Sequence, residues 1–184
     1  MPEFYVNLFK EFRDINSSFN SFEGFNNLSS YHNLFRKLTT AAHYKIPSVI
    51  ELINGRQFDL STDQLGKPRA KHKIVEKPFK INIYAYKLFY CKFPSRLDIH
   101  FNHKCAFYYR YTFSNVLNYG EKEKIKSLIR DRYNIDPSLN FDKESVIDPN
   151  QTILKIEDGE TLKIHFYNYG LKIAKDLKYY KEDL

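Results

Sequence analysis

Apolar side chains recur at helical spacing at the start of the chain, where Phe4, Tyr5, Leu8, Phe9, Phe12 and Ile15 form one stripe. Glu3, Lys10, Glu11, Arg13 and Asp14 occupy the other side, so the period predicts an amphipathic helix. Residues 17–27 mix Ser, Asn and Gly24 with Phe19, Phe22 and Phe25, the composition of a loop held down by aromatics. The helical stripe returns at Leu28, Tyr31, Leu34, Phe35 and Leu38, and Ala41 and Ala42 extend it. This second helix is expected to end before Pro47, because proline drives the residue ahead of it out of the α region.

Beyond Pro47 the period changes from 3.6 to 2. Ile50 and Leu52 can face Leu60 and Phe58 across a loop of Asn54, Gly55 and Arg56, which predicts a β-hairpin. Residues 61–77 contain Gly66, Pro68 and a basic string, and read as a long solvated loop. The strongest strand pattern follows. Leu97, Ile99, Phe101, His103, Cys105, Phe107, Tyr109, Tyr111 and Phe113 take the odd positions, with Asp98, His100, Asn102, Lys104, Ala106, Tyr108, Arg110 and Thr112 between them. One long or bent strand with a buried odd face and a solvated even face is expected, with an interruption near Asn102 and His103. Phe79, Ile81, Ile83 and Ala85 supply an antiparallel neighbour through a turn at Pro94 and Ser95.

A third helix over 120–133 puts Ile125, Leu128, Ile129 and Tyr133 on one face, with Glu121 and Glu123 in the first turn where the helix dipole favours acid. Leu154 and Ile156 face Leu162 and Glu160 across Glu157, Asp158 and Gly159, a second hairpin. Leu171, Ala174, Leu177 and Lys178 close the chain as a short helix. The 184 residues therefore read as a single α+β domain, helical over 1–46 and sheet-rich over 47–184. An N-terminal helical pair is followed by a mainly antiparallel sheet of about five or six strands packed against one or two helices.

Composition adds direction. Sixteen Phe and 15 Tyr stand beside no Trp, and Lys, Asn and Ile are plentiful, as in an AT-rich coding sequence. Lys and Arg outnumber Asp and Glu by 29 to 22, a net charge of +7 that favours acidic or polyanionic partners. The first 20 residues are broken by charges and lack a signal peptide's apolar stretch, and no apolar run approaches the ~20 residues of a membrane span. A cytoplasmic protein without membrane contact is expected. Two cysteines, Cys91 and Cys105, are too few for a disulfide framework and read as reduced.

Catalytic motifs are missing. The six glycines form neither a GxGxxG nor a P-loop pattern, and no GxSxG elbow nominates a nucleophile. His100, His103, Cys105 and Cys91 are of zinc-binding type, but on a strand only His103 and Cys105 share a face, so these two read as core residues and no metal or cofactor is expected. Asp59 with Asp63, and Glu157 with Asp158, fit a solvated loop better than an acid–base pair. Arg36 and His43 lie seven apart on the second helix, a spacing that resembles the Arg-x6-His pair of helical HEPN-class ribonucleases, although the strands of this chain depart from that all-helical class.

One feature points to binding. Lys67, Arg69, Lys71, His72, Lys73 and Lys77 lie next to strands bearing Tyr84, Tyr86, Tyr90 and Tyr108, and cations beside aromatic rings are the two components of RNA or single-strand recognition. The sequence thus ranks a non-catalytic binding or assembly protein first, with a protein partner or a second copy of itself. Nucleic-acid binding through residues 67–77 stands second, and a small ribonuclease or other hydrolase a distant third.

Overall fold

A computed structural model of the chain describes residues 22, 24–40, 42–51, 66–114 and 117–180. The expected first helix over 4–15 and the hairpin around Asn54 to Arg56 lie outside the described residues. In chain order the elements are α1 (Leu28–Thr40), β1 (Ala42–Lys45), β2 (Ala70–Glu76), β3 (Phe79–Tyr90), β4 (Phe93–Asn102), β5 (Cys105–Phe113), α2 (Tyr119–Tyr133), β6 (Glu144–Ile147), β7 (Thr152–Asp158), β8 (Leu162–Asn168) and α3 (Lys172–Lys178). The eight strands form one sheet in the order β1-β6-β7-β8-β5-β4-β3-β2. Every pairing is antiparallel except β1 with β6. The α+β class and the mainly antiparallel sheet are thus as the periodicity implied, while the strand count is higher than five or six.

The extra strands have identifiable origins. Alanine's helix preference over ordinary residues is at most ~0.7 kcal/mol per residue, and pairing with β6 overrides it. Ala42 and His43 enter β1, so the helix stops at Thr40 and strand structure begins before Pro47. Thr39 assists the stop, since its hydroxyl donates to the Phe35 carbonyl at 2.8 Å. The basic stretch expected as a loop is half strand: β2 pairs with β3 from Ala70↔Ala85 to Glu76↔Phe79. The single long strand is the hairpin β4–β5, folded at His103 and Lys104 with His103 at φ 55°. The turn before it falls at Cys91 and Lys92, not at Pro94 and Ser95. Both turn residues have positive φ (50° and 69°), the conformation a two-residue hairpin loop requires, without the glycine or asparagine that announces it.

Both faces of the sheet are covered. Ile125, Ile129 and Tyr133 of α2 pack on Ile99, Tyr109, Ile164 and Phe166. On the opposite face Tyr31 and Phe35 of α1, with Ala174 and Leu177 of α3, pack on Ile83, Tyr108 and Tyr167. Asn118 and Glu121 form a capping box that fixes the start of α2, and Asn134 in the left-handed region ends it. The expectation of a solvated even face is therefore overturned. Asp98, His100, Tyr108 and Arg110 are all buried beneath α1 and the segment leading into it, where Asp98 pairs with Arg110, His100 bonds Tyr31 and Tyr108 bonds His165. Two residues assigned to the core sit outside it: His103 and Cys105 are exposed at the tip of the β4–β5 hairpin.

Candidate functional site

Alternation along β2 sorts its basic residues. Lys71, Lys73 and Val75 are exposed, while His72, Ile74 and Glu76 turn toward α1. Glu76 accepts the Leu28 N–H at the start of α1, and His72 stacks on Phe22 with ring centroids 5.2 Å apart, so His72 leaves the basic group. Lys67 and Arg69 are exposed just ahead of the strand, and Lys77 is exposed in the two-residue turn that follows it. Lys71 lies opposite Tyr84 and Lys73 opposite Asn82, and the Lys71 ammonium sits 5.4 Å from the centroid of the Tyr84 ring. Tyr86 shares that face, its hydroxyl pushed up to about 12 by burial and by Tyr84, so it stays neutral. Lys80, opposite Val75, joins the same face. It lies outside the basic string, and the parity it shares with Tyr84 and Tyr86 is the signal that would have found it. Tyr90 and Tyr108 do not take part, because both are buried.

None of the ion pairs among the described residues involves Lys67, Arg69, Lys71, Lys73, Lys77 or Lys80. The exposed side of β2–β3 is consequently a terminal strand pair carrying uncompensated cations around two half-buried tyrosines. Such a surface can neutralise phosphates and offer aromatic faces to bases.

Behind the sheet, under α1, lies a buried charged network. Asp98 accepts from Arg96 Nε at 2.7 Å on one carboxylate oxygen and from Arg110 Nη2 at 2.8 Å on the other. Phe22 and Phe25 cover the two guanidiniums at 4.8 and 4.6 Å. Beside them the Tyr31 hydroxyl hydrogen-bonds His100 Nδ1 at 2.7 Å. A second chain runs through β8. His165 Nε2–H donates to Glu157 at 3.2 Å, because a carboxylate can only accept, which leaves Nδ1 to accept from the Tyr108 hydroxyl at 2.7 Å. Lys37 of α1 completes the chain, donating to Glu157 at 2.6 Å. Glu157 and Asp158, expected in a solvated loop, are thus ion-paired at the end of β7.

A hydroxyl–imidazole–carboxylate chain has the connectivity of a hydrolytic triad, but the Tyr108 hydroxyl is fully buried and no substrate could meet it. The ribonuclease-like pair also fails to assemble. Arg36 is on α1, whereas His43 is on β1 with its Nδ1 2.6 Å from the Ser145 hydroxyl. Among the described residues no three His, Cys, Asp or Glu side chains converge as a metal site needs, and Cys91 and Cys105 are free thiols. No helix there is long and apolar enough to cross a membrane. The sequence matches no protein-family model, and no curated protein or solved structure is significantly similar to it.

The two histidines set a pH dependence. Burial first, and the Arg110 and Arg96 charges next, hold His100 well below the ordinary imidazole value, and burial lowers His165 despite Glu157. The unfolded chain therefore takes up these protons before the folded one does. Stability is fully present above about pH 6.5 and falls below it, by up to ~1.4 kcal/mol per pH unit for each histidine. Glu157, held low by its bonds from His165 and Lys37, adds loss in the same direction once pH drops below about 4.3. Melting temperature should be level from about pH 7.5 to 6.5 and fall steadily toward pH 5; a flat profile across that range would contradict the neutral, buried assignment.

Proposed function

We propose that this chain is a non-catalytic binding protein and that its partner is a nucleic-acid strand held on the exposed side of β2–β3. One observation carries the reading: Lys71, Lys73 and Lys80 share one face with Tyr84 and Tyr86, and no carboxylate among the described residues pairs with these lysines. Tyr84 and Tyr86 pack one side on the core, Tyr84 against Phe101, and remain half-exposed in register with the lysines. Phosphate attraction supplies affinity without sequence preference, and ring stacking supports single-stranded over duplex binding, because a duplex hides its base faces.

The test is fluorescence anisotropy with a labelled single-stranded oligonucleotide at several salt concentrations. Lys67, Arg69, Lys71 and Lys73 replaced together by Gln should weaken binding and flatten the log–log salt slope by about 0.7 for each lost phosphate contact. The melting temperature should move by no more than a few degrees, since all four side chains are exposed and the Lys71–Tyr84 contact is a surface one. A parent protein with no measurable affinity at ~50 mM salt would retire the reading.

The same edge supports a second reading, an acidic protein partner. Among the described residues β2 ends the sheet without a further strand beside it and exposes Val75 at 62% beside the lysines, and such a strand edge is a surface other chains pair with. Its mark would be a stable complex in size-exclusion chromatography that the quadruple Gln variant no longer forms.

A further inference from the structure

On the other side of the sheet from the proposed strand-binding face, α1 and the β7–β8 hairpin enclose a cleft of about 220 Å³. Leu34 and Leu38 of α1, with Ile156 of β7, supply apolar wall, and Lys37, Asp142, Lys155, Glu157, Asp158 and His165 the polar remainder. A cavity of ~150 Å³ suffices for benzene, so the space admits one ring or a branched aliphatic group.

The donors and acceptors around this space are unequally used. Lys155 spends its three N–H groups on the carbonyls of Phe141, Asp142 and Glu144, at 2.7, 3.0 and 2.9 Å. His165 is engaged at both nitrogens, by Tyr108 and Glu157. Asp158 receives Lys122 on one oxygen and Lys126 on the other. Glu157 takes one bond on each oxygen, and each oxygen can accept a second. The Asp142 carboxylate has no hydrogen bond or ion pair among the described residues. The inner donors of the cleft are therefore saturated, while two carboxylates keep accepting capacity. Lys37, 68% exposed, already places an ammonium on Glu157 and shows that the carboxylate accepts one there.

From this we infer that the cleft is a binding site for a small primary amine with a compact apolar body. The ammonium bridges Glu157 and Asp142, displacing the exposed Lys37, and the apolar body lies on Leu34 and Leu38. A carboxylate or phosphate of the same size would meet a Lys155 whose donors are spent and two negative charges, with the exposed Lys37 at the rim already paired to Glu157.

Benzylamine, with benzyl alcohol and benzoate as comparators of the same shape, is the probe. Ligand-observed NMR and calorimetry on the full chain should show saturable benzylamine binding, about tenfold or more tighter than benzyl alcohol, and none for benzoate. Asp142→Asn, at an exposed position, should weaken benzylamine several-fold with an unchanged melt, and Leu34→Trp should fill the cleft and abolish binding. Absence of saturable benzylamine binding, equal affinity for the alcohol, or full binding by D142N would each overturn the proposal. The β2–β3 Gln variant should bind benzylamine as the parent does, which separates this site from the strand-binding reading.

Discussion

Replacing Asp98 by alanine should cost about 3–5 kcal/mol of stability, a fall in melting temperature of roughly 6–20 °C for a chain of this size. The side chain is fully buried and is the carboxylate that Arg96 and Arg110 share, through Arg96 Nε at 2.7 Å and Arg110 Nη2 at 2.8 Å. Removing it takes away the negative charge that balances two guanidiniums in the interior, and the cost of burying charge then falls on them. Asp98→Asn keeps the shape and loses the charge, so most of the penalty should remain. Exchanging all three residues for apolar side chains of similar volume should be far milder than D98A alone, because no charge is then left to desolvate. Calorimetric melts of the three proteins decide the matter. If D98A melts within a degree or two of the parent, the network does not contribute as its geometry implies.

Phe107→Ala and Tyr109→Ala should each lose about 3–5 kcal/mol, while Lys104→Ala and Cys105→Ala at the hairpin tip should stay within ~0.5 kcal/mol. The two aromatics are fully buried on different faces of the sheet, Phe107 against α1 and Tyr109 against the α2 side. A register shift between His100 and Phe101 explains how neighbouring positions share faces: Phe107 and Tyr108 join one core, Ala106 and Tyr109 the other. A sheet solvated on one side would produce alternating large and small costs along β5. Chemical denaturation of the series 106–110 distinguishes the two patterns, and a strict alternation would contradict the covered face.

Where one face of an element was apolar and its ends were marked, the sequence was readable. α2 follows from Ile125, Ile129 and Tyr133 with acid in its first turn, and the existence of the β7–β8 hairpin from alternation near Gly159. The hairpin's turn lies at 159–161 rather than 157–159, so Leu154 meets Phe166 and Ile156 meets Ile164 instead of Leu162 and Glu160. The elements that escaped depend on partners far away in the chain. β1 is four residues whose strand state exists only because β6 lies alongside, and β2 is a lysine-rich segment whose strand state comes from β3. The buried network escaped for a related reason. Asp98, His100 and Arg110 look like a solvent face until the turn at His103 and Lys104 is located, and then Asp98 falls directly opposite Arg110. At the candidate site the cations were legible as a group, but the departure of His72 and the arrival of Lys80 required knowing which side of each strand meets α1.

The parallel pairing of β1 with β6 also sets an order of events. Each of the two runs β2–β5 and β6–β8 closes on neighbours in sequence, whereas His43 meets Ser145 across 102 residues. Contacts of that span place the chain among domains that fold in milliseconds to seconds, with the distant closure last. During synthesis at ~5–20 residues per second, β1 must wait roughly 5–20 s for its partner strand to be made.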